Sequence, residues 1–163
     1  IMERLVGSEM CIRDSLVGHY AAWNYFQTIE TEANKKWVES FQAKYGADRV
    51  TNDPMEAAYI MVYLWKQAVE KAGTVDDLEA VRIAAIGQTF EAPEGLVKMN
   101  VNHHISKTVR IGQVRDDGLF NIVWSTKEPI VPIPWNQFVP ATKGFVCDWS
   151  DPNKGGKFKT VNN

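Results

Sequence analysis

The chain has 163 residues, 45% of them hydrophobic and 23% charged, and a formal net charge of -2. That suffices for one domain core and fits equally a piece of a larger protein, while charges of both signs are interspersed and give no field that would draw in nucleic acid or an anionic membrane. No apolar stretch approaches the roughly 20 residues that span a bilayer, and the first residues do not read as a secretory leader.

Met10-Cys11-Ile12-Arg13-Asp14-Ser15 resembles a reading frame through a transposon end sequence used in preparing DNA libraries. Residues 1–15 are therefore expected to be non-native, with native sequence starting near Leu16; a genuine polar segment is the alternative. On the first reading Cys147 is the only protein cysteine, and with no metal-spaced His, Cys or acid beside it an inert or buried thiol is expected.

Residues 16–22 are short and largely apolar, and Gly18 interrupts them, which predicts a buried strand. It delivers Trp23, Asn24, Tyr25 and Phe26 to its C-terminal end, where open α/β sheets place a ligand crevice. A helix is expected from Thr31, with Trp37, Phe41 and Tyr45 at four-residue steps on one face and Gly46 as its stop. Asp53-Pro54-Met55-Glu56 opens the next helix with a capping Asp, a Pro at the first helical position and a Glu three residues on. Its body, 57–72, carries Ala58, Met61, Val62, Trp65, Val69 and Ala72 on one stripe. Tyr59, Ile60 and Leu64 widen the apolar surface, so the helix needs burial from more than one side; the elements visible in this chain hardly supply it, and the face around Trp65 is expected to be partly bare. Asp76 and Glu79 then read as the capping pair of a short helix closed by Gly87.

Beyond Gln88 the pattern turns to β. Strands are expected at 96–99, 108–114 and 119–124, the last two joined as a hairpin through Arg115-Asp116-Asp117-Gly118. Pro129, Pro132, Pro134 and Pro140 then deny the chain helix and central strand. An extended coil pinned by Trp135, Phe138, Phe145 and Trp149 is expected over residues up to 150, with a flexible tail over 151–163.

Adjacent His103 and His104 would point to opposite faces of an extended segment, which makes a metal chelate from that pair awkward. No G-x-S-x-G elbow and no glycine-rich phosphate cradle is present. No catalytic residue, metal or cofactor is therefore assigned, and an activity other than catalysis is expected. The features suited to a small-molecule pocket are the aromatic run at Trp23 and the helix start at Asp53. A helix start offers free N–H groups, and aromatic walls exclude water.

These residues resemble the C-terminal part of the urea ABC-transporter substrate-binding family, kin to the short-chain amide binders. The resemblance is carried by LVGHYAAWNYFQTIET at 16–31, NDPMEAAYIMVYLWKQAVEKAG at 52–73 and QTFEAPEGLVKMNVNHHISKTVRIGQVRDDGLFNIVWS at 88–125, with PWNQFVPATKGFVCDWSDPNKGGKFK at 134–159. Trp23 and Asn24 favour the urea branch over the amide relatives. The resemblance implies an α/β fragment of a bilobed type I periplasmic binding protein fold in which residues 16–150 contribute to both lobes. It implies a periplasmic, non-enzymatic component that captures urea or a small amide by closure and delivers it to an inner-membrane ABC permease. Trp23, Asn24 and Tyr25, then Met55 and Glu56, are the candidate ligand contacts. Weak urea binding by this chain is expected, since the family's first-lobe loops are missing from it. The rival readings are a cytosolic amide-sensing regulator of the same fold and a metal-dependent amidohydrolase.

Overall fold

In the computed structural model, residues 16–150 other than 134, 137 and 144 are described, together with 159–160. The expectations for 1–15, and for all of 151–163 except 159–160, lie outside the described residues. The chain forms two compact units, one built from 1–57, 92–95 and 108–128, the other from 58–91, 96–107 and 129–163.

The first unit is organised by a three-stranded antiparallel sheet in the order β1-β5-β6, with β1 at Tyr20–Trp23, β5 at Arg110–Val114 and β6 at Phe120–Ser125. The expected strand at 16–22 starts later and is an exposed edge. Gly18, at φ 86°, turns the chain, and Tyr20 is 66% exposed because β1 pairs with β5 alone. The β5–β6 hairpin follows the sequence reading: Gly118 takes φ 78° in the turn and donates its N–H to the Arg115 carbonyl at 3.1 Å. The register shifts between Ile111 and Gly112. There a Cβ on Gly112 would lie 2.8 Å from Cζ of Phe26, so glycine is what lets that ring approach the strand so closely.

Helix α1, Glu32–Tyr45, starts where the sequence places it. Thr31 Oγ1 accepts the Asn34 N–H at 3.1 Å, and Gly46 closes the helix by donating to the Gln42 carbonyl at 2.9 Å. Trp37 and Phe41 are half-buried, and Tyr45 at the end of that stripe is exposed.

Helix α2, Asp53–Ala72, carries its first turn in the first unit and the rest in the second. Its cap is Asn52, one residue earlier than expected: Asn52 Oδ1 accepts the Met55 N–H at 3.1 Å. Its buried line is Ile60, Leu64 and Ala68, while Met61, Val62 and Trp65, on the face expected to be partly bare in this chain, are about half exposed. Val69 and Ala72 from the expected stripe do join the small core of Ala68, Val81 and Ala84.

In the second unit, helix α3, Leu78–Ala85, is capped by Asp77, not by Asp76. Asp77 Oδ1 accepts the Ala80 N–H at 3.0 Å, and Glu79 pairs with Arg82 in place of reaching back. Asp77→Ala is expected to lower stability by about 1 kcal/mol, read as a lower guanidinium chloride midpoint with an unchanged slope. β2 (Thr89–Ala92), β3 (Gly95–Met99) and β4 (Ile105–Ser106) form a second sheet in that order, in which Val97 and Met99 face inward. The sequence reading missed β2 and β4, which are too short to show a period.

Within the second unit the proline-rich segment runs extended over 129–133, as expected, but folds into turns over 138–143, where Thr142 and Lys143 both donate their N–H to the Val139 carbonyl at 3.0 Å. Ile130 bridges Lys107, Asn102 Nδ2 donates to the Pro132 carbonyl at 2.9 Å, and the Trp149 N–H donates to the Val101 carbonyl at 2.7 Å. The Trp149 ring lies under the Arg82 guanidinium at 4.7 Å and stacks on His103. Phe138, expected to pin the coil, is instead 96% exposed. Cys147 is a half-buried free thiol. Strand β7 (Phe145–Val146) pairs antiparallel with β8 (Lys159–Thr160). Among the described residues no helix is long and apolar enough to cross a membrane.

Candidate functional site

A cleft of about 340 Å³ opens wholly within the first unit. Three segments wall it: residues 23–28 leaving β1, residues 50–54 entering α2, and residues 118–120 at the hairpin turn. Its apolar surface comes from Trp23, Phe26, Val50, Leu119 and Phe120. The Phe26 and Phe120 rings meet at 4.7 Å between centroids, tilted by 41°.

The floor is set by Tyr25, which is 2% exposed and fixed at both ends. Its N–H donates to Asp53 Oδ1 at 2.8 Å, tying the end of β1 to the start of α2. At the other end the phenol oxygen meets two polar side chains. Asn34 Nδ2 donates to the carbonyls of Gln27 and Ile29, which orients Asn34 Oδ1 as the acceptor of the Tyr25 hydroxyl at 2.8 Å. Thr51 Oγ1 lies 2.8 Å from the Tyr25 oxygen on the other side and also reaches Gln27 Oε1 at 3.0 Å, which accepts the Thr51 N–H at 2.7 Å as well. Burial, foremost, pushes the Tyr25 phenol well above its ordinary pKa, and the nearby Glu56 carboxylate adds to this.

Beside the floor lies a buried charge cluster. Arg110 Nη1 donates to the Asn24 carbonyl and Nη2 to the Glu94 carbonyl, both at 2.6 Å, and Glu94 Oε2 stands 3.9 Å from Nη1. Glu56, fully buried, accepts the Glu94 N–H on Oε1 at 3.3 Å. Burial pulls the Arg110 pKa down, with Glu94 and then Glu56 opposing it.

Of the five residues that the sequence suggests as ligand contacts, two line the cleft. Trp23 is a half-exposed wall and Tyr25 is part of the floor. Asn24 is turned away: its amide donates to the Thr108 carbonyl at 3.0 Å, and its own carbonyl is held by Arg110. Glu56 belongs to the charge cluster, and Met55 does not line the cleft. The sequence reading missed Gln27, Thr28, Thr51, Asn52 and Phe120. Only the turn before Phe120 and the capping residue Asn52 leave a local signal that could have found them.

Polar atoms facing a ligand are few. Asp53 accepts from Tyr25 through Oδ1, and no described residue donates to its Oδ2. Asn52 accepts from Met55 through Oδ1, which leaves its amide N–H groups for a ligand carbonyl. Thr28 donates to the Phe120 carbonyl at 2.7 Å and keeps its lone pairs. Among the described lining residues, Asp53 is the one charged side chain, with no Lys, Arg or His beside it.

A family model described as a periplasmic binding protein domain matches residues 8–141. A protein named limonene hydroxylase from Geobacillus stearothermophilus is 33% identical over 117 residues, which is 72% of this chain and 21% of that protein. Among solved structures, a solute-binding protein of an ABC transporter from Rhodopseudomonas palustris BisB5, in complex with 3,4-dihydroxybenzoic acid, superimposes with a TM-score of 0.65 at 21% identity. That match covers 73% of this chain and 33% of the other. The leucine-, isoleucine-, valine-, threonine- and alanine-binding protein from Brucella ovis, in a closed conformation, gives a TM-score of 0.64 at 15% identity, over 77% of this chain and 36% of the other. The chain thus spans about a third of the length of these solved relatives.

Proposed function

The chain belongs to the periplasmic binding protein domain family, and from that premise we propose that it is part of a solute-capturing component of an ABC importer, with urea or a short-chain amide as ligand. In this reading the parent protein works in the periplasm, hands its ligand to an inner-membrane permease and catalyses nothing, and the two units belong one to each of its lobes.

The observation that carries the choice of ligand is the charge of the cleft. Asp53 is its single charged described residue. An anionic carboxylate entering there would meet a like charge with no cation among the described lining residues to offset it, the nearby Arg110 being engaged with Glu94 and two carbonyls, at a cost that grows as aromatic walls exclude water. A neutral amide meets complementary groups: its N–H groups find Asp53 Oδ2 and Thr28 Oγ1, and its carbonyl finds the Asn52 amide. The long sequence similarity to the urea-binding branch supports the same choice. Aromatic acids and branched amino acids, which occupy or name solved relatives, carry the carboxylate that this cleft disfavours.

The test is isothermal titration of the chain with urea, acetamide, 4-hydroxybenzoate and leucine, with ammonia assayed in the urea sample. Acetamide and urea are expected to bind weakly, with Kd on the order of 1 mM, an interaction of about 4 kcal/mol, and the two carboxylates not measurably. Saturable binding of 4-hydroxybenzoate without binding of either amide would overturn the choice of ligand. Release of ammonia would overturn the non-catalytic reading.

A further inference from the structure

A cleft of about 340 Å³ is large for urea, which has four heavy atoms; it falls in the range of sites that hold ring-sized ligands, roughly 300–1,000 Å³. Its walls ask for more than a urea molecule can offer. Trp23 presents a ring that is 47% exposed, and Phe120 and Phe26 form a tilted aromatic pair facing the same space. Phe26 cannot retreat, because its ring is pressed onto the bare backbone of Gly112. The few polar atoms come chiefly from Asn52 and Asp53 at the start of α2, with Thr28 opposite the hairpin carbonyl of Phe120.

We propose that this cleft is selective for carboxamides bearing an apolar, flat substituent, of which benzamide is the simplest. The inference rests on the amide-capturing reading above and narrows it. The carboxamide N–H groups lie on Asp53 Oδ2, the carbonyl accepts from the Asn52 amide, and the ring covers the faces of Trp23 and Phe120. The carboxylate of Asp53 sets the sign of selectivity: benzamide and benzoate have nearly the same shape, and only the neutral one is accepted. The aromatic walls set its slope, since each carbon moved from water onto them adds to affinity.

The experiment titrates the chain with acetamide, butyramide, benzamide and benzoate, and repeats acetamide and benzamide with Trp23→Ala and Asp53→Asn. Affinity is expected to rise along the amide series, with benzamide about tenfold or more tighter than acetamide, and benzoate not to bind. Trp23→Ala, at a half-exposed position whose loss leaves the core intact, should weaken benzamide at least fivefold more than it weakens acetamide. Asp53→Asn should weaken both amides and narrow the gap between benzamide and benzoate; thermal unfolding of each variant reports that it is folded. Acetamide binding as tightly as benzamide, or benzamide binding unaffected by Trp23→Ala, would overturn this inference and leave the amide reading standing. Benzoate binding as well as benzamide, or no saturable binding of any amide, would overturn both.

Discussion

Arg110→Ala is expected to remove about 3–5 kcal/mol of stability, a large share of the 5–15 kcal/mol that holds a typical domain together. The guanidinium is 9% exposed, and it ties together the Asn24 carbonyl after β1, the Glu94 carbonyl and the Glu94 carboxylate. Alanine would leave Glu94 and Glu56, 1% and 0% exposed, without the cation that faces them. It would also release two buried carbonyls from charge-assisted hydrogen bonds. Arg110→Lys is expected to recover less than half of the loss, because one ammonium cannot fork to two carbonyls as a planar guanidinium does. Guanidinium chloride unfolding followed by far-ultraviolet circular dichroism measures both variants; a midpoint shift equivalent to less than about 1 kcal/mol for Arg110→Ala would contradict the role assigned to the cluster.

Tyr25→Phe should cost about 1–3 kcal/mol, the usual consequence of stranding buried partners. The ring would still meet Trp37 edge-on at 5.3 Å, but Asn34 Oδ1 would lose its donor and the Thr51 hydroxyl one of its two partners, keeping Gln27 Oε1. The same hydroxyl predicts a dependence on pH. The folded phenol titrates above the ordinary value of 10.0. The unfolded chain therefore gives up this proton first, and folding stability falls as pH rises past 10 while remaining indifferent to Tyr25 below it. In the Tyr25→Phe variant that alkaline loss should shrink by the contribution of one group. Equal alkaline destabilisation in both proteins would show that other groups are responsible.

Some of this architecture was readable before any coordinates. The hairpin at Arg115–Gly118 and the helix from Thr31 to Gly46 follow from signals contained within a few residues, a turn needing positive φ and a cap with its stop. Where two candidates for one role sit side by side, local rules chose the wrong one. Asn52 and Asp53 can each cap α2, and the outcome is decided by Tyr25, 28 residues earlier in the chain, whose N–H claims the aspartate. Asp76 and Asp77 repeat the case at α3. The cleft was legible only in part, for a related reason. Its walls come from three segments separated by more than 20 residues each, and nothing near Thr28 or Phe120 announces that they meet. Asn24 and Glu56 look like ligand groups in sequence because they are polar and lie next to aromatic or helix-start residues. Long-range contacts with Thr108, Arg110 and Glu94 consume them instead. The exposed stripe of Met61, Val62 and Trp65 is the bare face that the sequence leads one to expect: its periodicity is real, yet periodicity names a face without saying what covers it.

The division of the chain between its units has a practical corollary. The polypeptide passes from one unit to the other at residues 57/58, 91/92, 95/96, 107/108 and 128/129. No single scissile bond can therefore liberate either unit intact, and neither can be subcloned as an uninterrupted stretch. A protease that nicks any one exposed loop should leave both pieces associated under native conditions and separable only in denaturant.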